Sequence, residues 1–92
     1  MIITKELEVK GVRRPIVTLR QQGDHLIIHA EDEVAMKVIN FTLNGQKYQI
    51  NVGEVKVIDH AQQLQQGENR IELTAENKEG GITKINGKCI VE

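Results

Sequence analysis

Three histidines, one acidic run and one cysteine are the side chains with the most chemistry to offer in this 92-residue chain. His25 and His29 lie four residues apart. On extended backbone that spacing puts them on one face but about 13 Å apart, too far to share an ion. His60 is remote in sequence and there is no Cys-x-x-Cys, so the histidines read as solvent-facing rather than as zinc ligands. "AEDEVA" sets Glu31, Asp32 and Glu33 side by side, and adjacent carboxylates can ligate calcium if other oxygens complete the shell. The Asp-x-Asp-x-Asp-Gly spacing of a calcium loop is missing, which favours a solvated acidic turn.

Nucleophilic chemistry has little to draw on. The chain contains no serine, no Gly-x-Ser-x-Gly and no glycine-rich phosphate loop, and Cys89 sits in an apolar run where a thiol packs rather than reacts. Paired carboxylates, Glu6 with Glu8 and Glu72 with Glu76, fall on wet faces where water screens any tuning of an acid against a base. Arg13 and Arg14, with Lys10 and Arg20 nearby, read as solvated turn charges. The expectation is a protein that is not an enzyme and needs no cofactor or metal.

Twelve basic and thirteen acidic residues leave a formal charge of −1, so no overall field favours nucleic acid or an anionic membrane. No run is long enough to span a bilayer, and "MIITKELEVK" lacks the apolar core of a signal peptide, which implies an intracellular protein or export by another route. A single cysteine allows no internal disulfide. One Tyr, one Phe and no Trp leave little to stack on sugars, which argues against carbohydrate binding.

The elements that would position these residues are strands. Twenty-one residues are Ile or Val, which are stiff at χ1 and suit a pleated surface. Ile71, Leu73 and Ala75 alternate with Arg70, Glu72, Thr74 and Glu76, the signature of a strand with one wet face. "KVINFTLNG" ends in Asn44-Gly45, a two-residue hairpin turn that returns the chain through Tyr48, Ile50 and Val52. Further strands are expected over 2–9, 16–21, 25–30, 55–59 and 82–91, with one or two helical turns at most in "EVKVIDHAQQLQQ". Glycine marks the turns at Gly11, Gly23, Gly53, Gly67 and Gly80-Gly81, and Pro15 precedes a strand, where its missing N–H does least harm. Seven or eight short strands in one undivided domain predict an all-β sandwich or barrel.

"LQQGENRIELTAENKEGG" resembles the E–F connection, F strand and F–G turn of bacterial immunoglobulin-like domains: Leu, a spacer, Gly-x-Asn, an alternating strand ending near Ala, then a glycine turn. "IIHAEDEVAMKVINFTLNGQKY" is similar to the B–C–C′ region of the same superfamily. The resemblance covers residues 15–92, and leaves 1–14 as a first strand or an N-terminal arm. It implies an immunoglobulin-like β-sandwich of two antiparallel sheets with Leu19, Leu26, Ile28, Ile39, Phe41, Leu43, Ile50, Leu73, Ala75 and Ile85 in the core. The disulfide and tryptophan of antibody domains are absent, and the F–G turn is longer than usual.

Standing alone and without a signal, the module is similar to the accessory domains of tailed-phage virions or prophages. That implies a structural or recognition role, with a cytoplasmic or virion-associated location. A small cytoplasmic inhibitor or regulator of a host enzyme is the alternative. Expected contact points are the B–C turn at Glu31, Asp32 and Glu33, the C–C′ tip at Asn44, Gly45 and Gln46, and the F–G loop at Asn77, Lys78 and Glu79, the first and last clustering at one end. The expected partner is a protein, met through these loops, or a second copy met through a sheet edge.

Overall fold

A computed structural model describes residues 14–53 and 55–92 in full, and residues 2–8 by their backbone. Lys10, Arg13 and the turn at Gly11 lie outside the described residues, as do the side chains of Glu6 and Glu8. The strands are β1 (Ile2–Glu8), β2 (Ile16–Gln22), β3 (His25–Glu31), β4 (Met36–Leu43), β5 (Gln46–Asn51), β6 (Val57–Gln63), β7 (Gly67–Asn77) and β8 (Ile82–Val91). They form two antiparallel sheets, ordered β1-β8-β7-β4-β5 and β2-β3-β6.

Alternation decides what each strand buries. In β7, Asn69, Ile71, Leu73, Ala75 and Asn77 are buried while Arg70 and Glu72 face water. Leu26, Ile28 and Ala30 of β3 meet them from the other sheet, with Val17, Leu19, Ile39, Phe41, Leu43 and Ile85 filling the layer between. A fully buried Leu or Ile of this kind contributes about 1.5–3 kcal/mol. The Phe41 ring stacks on Tyr48, its cross-strand partner, at 4.9 Å between centroids, and tilts against His60 of the opposite sheet at 5.9 Å.

Two expectations need correcting. Residues 55–59 were expected as a strand, with a helical turn or two in the surrounding segment. The strand instead runs from Val57 to Gln63, and its pairing with β3 holds every residue extended. Backbone bonds to a neighbouring strand outweigh the weak helical spacing of Val57, Ala61 and Leu64. Ile50 belongs to the core only in part; it is half-buried because β5 is an edge strand.

Turn chemistry follows the glycines. Asn44 and Gly45 both have positive φ, 52° and 84°, as a type I′ hairpin requires. Gly67, at φ 91°, opens β7 in the left-handed region where a Cβ would be strained.

Candidate binding site

The sandwich brings the loop candidates to two ends. At one end lie the β3–β4 turn, the β7–β8 turn and the link between β5 and β6. Asp32 is only 6% exposed. Its Oδ2 accepts the N–H groups of Val34 and Ala35, both at 3.1 Å, in a local Asx arrangement. Its Oδ1 accepts Asn77 Nδ2 at 3.1 Å. Asn77 in turn accepts, through Oδ1, the N–H groups of Glu79 at 3.0 Å and Gly81 at 2.8 Å. The Lys78 N–H donates to Ala35 O, and those of Asp32 and Met36 donate to Lys56 O and Val55 O. The Asp32 carboxylate and the Asn77 amide thereby join the two turns, and backbone bonds from Asp32 and Met36 tie in the third segment.

This reassigns roles among the expected contact residues. Asp32 and Asn77 are frame, buried and bonded inward, whereas Glu33, Lys78 and Glu79 face water. Around them stand aliphatics that a soluble surface rarely gathers: Ile16 is 59% exposed, Val57 52%, Val34 50% and Val55 42%. Ile16, Glu31 and Val57 lie abreast on the outer face of the three-stranded sheet and line a shallow groove with Arg14, Glu33 and Lys56. Sequence reading missed this patch. The signal was the phase of β2: if Val17 and Leu19 face in, Ile16 faces out.

At the opposite end, the Asn44 N–H donates to Arg70 O, and Asn44 Oδ1 accepts the Arg70 N–H at 2.9 Å. Asn44 Nδ2 donates to Asn69 Oδ1 at 3.0 Å. Asn69 is buried and bonds both the N–H and the carbonyl of Gln65. Asn44 and Asn69 thus staple the hairpin to the corner that leads into β7. Gly45 and Gln46 remain at the exposed tip.

On the outer face of the smaller sheet, both ring nitrogens of His29 meet carboxylates, Asp59 through Nδ1 at 2.6 Å and Glu31 through Nε2 at 3.3 Å. A neutral imidazole has one donor nitrogen, so satisfying both contacts requires the imidazolium. The bond to Asp59 first, and that to Glu31 second, hold the His29 pKa above its usual value. Cys89 is buried in β8, and desolvation pushes its thiol up, away from a reactive thiolate. Among the described residues no group of three or more His, Cys, Asp or Glu is arranged to hold a metal ion.

Comparison of the chain with family models, curated proteins and solved structures gives no match.

Proposed function

We propose that the chain is a non-enzymatic recognition module with an immunoglobulin-like sandwich, engaging a protein partner through the end that carries Glu33, Val34, Lys78 and the Ile16–Val57 groove. The strand order supports the immunoglobulin-like assignment. Taking β2 as A, β3 as B, β4 as C, β5 as C′, β6 as E, β7 as F and β8 as G gives sheets A-B-E and G-F-C-C′, with β1 added beside G. The phage or prophage placement rests on the sequence resemblance.

The observation that carries the binding reading is the gathering of four exposed aliphatics around turns fixed by the Asp32–Asn77 bond. A rigid frame costs little ordering on association, and apolar side chains among mixed charges form the usual centre and rim of a protein interface. Affinity capture from the source organism with the intact chain tests it. Ile16→Asp and Val34→Asp should lose the partner, and Gln46→Ala at the far end should keep it. Capture that survives both Asp substitutions would refute the assignment.

A further inference from the structure

Among the described residues no strand closes the lateral side of the sandwich formed by β5 and β6, and its geometry is that of an acceptor for one more strand. The Asp32 N–H bonds Lys56 O, and the Leu64 N–H bonds Asp24 O. In the antiparallel register of β3 and β6 these mark the even-numbered residues of β6 as the ones turned toward β3. Val57, Asp59, Ala61 and Gln63 therefore point their N–H and C=O groups away from the sheet. Among the described residues no strand pairs with that edge.

The inward-facing residues of β3 and β7 are buried, but those of β5 and β6, Tyr48, Ile50, Ile58, His60 and Gln62, are only half-buried. Among the described residues, three of the four apolar side chains that pack against the core without being buried, Tyr48, Ile50 and Ile58, lie here. The opposite side is tied shut: Thr83 Oγ1 donates to Pro15 O at 2.6 Å and Gln21 Nε2 to Ile90 O at 2.9 Å.

We infer that β6 accepts an extended segment of a partner protein as the fourth strand of the smaller sheet, with apolar side chains at alternate positions covering Tyr48, Ile50 and Ile58. Strand addition supplies main-chain bonds for affinity, and alternate side chains give selectivity. Charge selects the occupant further. Lys56 stands where β6 begins, and no ion pair engages it among the described residues. Asp59, the one formal charge of either sign on β6 itself besides its histidine, is already paired with His29. The favoured segment therefore carries an acidic residue at the end that meets Lys56. The β5 edge is less suited, because Lys47, Gln49 and Asn51 make it polar along its outward face. The inference shares with the proposed function the premise that the chain binds protein; the two surfaces meet at Lys56 and Val57, whereas Ile16 and Val34 belong to the first alone and Ala61 and Gln63 to the second.

The probe is a short synthetic peptide with valine at alternate positions, threonine between them and glutamate at each end, compared with a scrambled control that has its valines adjacent. Amide exchange on the intact chain should show residues 57, 59, 61 and 63 unprotected when free and slowed when the alternating peptide is bound. Ala61→Pro removes an outward N–H without touching the β3 ladder, and should weaken binding at least about tenfold. Lys56→Glu should weaken it several-fold and invert its salt dependence, whereas Lys47→Glu, on the outward face of the larger sheet, should leave it unchanged. Circular dichroism and thermal unfolding of each variant keep loss of fold distinct from loss of binding. Equal binding of the scrambled peptide, exchange protection confined to β5, or pairing of β6 with a second copy of the chain in the absence of peptide would overturn the inference. Ile16→Asp and Val34→Asp should leave peptide binding unchanged, so either surface can fail alone.

Discussion

His29 shows how one side chain ties two strands through charge. Its folded-state pKa is raised, so its stabilising contribution is complete below the unfolded value of about 6.5 and is lost as pH rises through the folded value. The effect is modest, since Asp59 and His29 are both substantially in water. Thermal unfolding from pH 6 to pH 9 should show the intact chain losing more stability than His29→Gln, the two curves converging at the alkaline end. Parallel curves would mean the contacts to Asp59 and Glu31 contribute nothing. Asp32 and Asn77 make a larger case. Removing Asp32 takes the acceptor from the Ala35 N–H, removing Asn77 takes it from the buried Gly81 N–H, and Asn77→Ala should cost about 2–3 kcal/mol in urea unfolding. A loss under about 0.5 kcal/mol would mean water replaces the network freely.

At the scale of the element, the turns carry the sharpest expectations. No neighbouring atom would meet a Cβ at Gly45 or Gly67, so any cost of Ala there is backbone strain alone. Gly45→Ala and Gly67→Ala should each lower stability by about 1 kcal/mol, read from the urea midpoint at unchanged slope. The strands around these turns were legible because period-2 alternation and Asn-Gly are local signals. β7 follows the pattern residue by residue, and Asn44-Gly45 turns where the dipeptide says it should. β6 was legible only in part. Its β-branched start was readable, but its extension through His60 to Gln63 is set by pairing with β3, which no local window contains.

For the whole molecule, the two faces of the smaller sheet should respond in opposite ways to substitution. Ile28→Ala opens a cavity at the centre of the core and should cost about 2–5 kcal/mol, whereas Val57→Lys on the exposed face should stay within about 0.5 kcal/mol. Comparable losses at both positions would contradict the packing described.

The sequence by itself determined which side of each strand is apolar and where the chain reverses, because both follow from neighbours two to four residues away. It also brought the acidic turn, the hairpin tip and the last glycine loop to notice as a set. Only the tertiary structure decided that Asp32 and Asn77, 45 residues apart, bond each other, that Ile16, Val34, Val55 and Val57 share one end, and that no described strand pairs with the outer edge of β6. The physical reason is that a polar group or an aliphatic face is committed or left free by what packs across from it, and that partner arrives from a distant part of the chain.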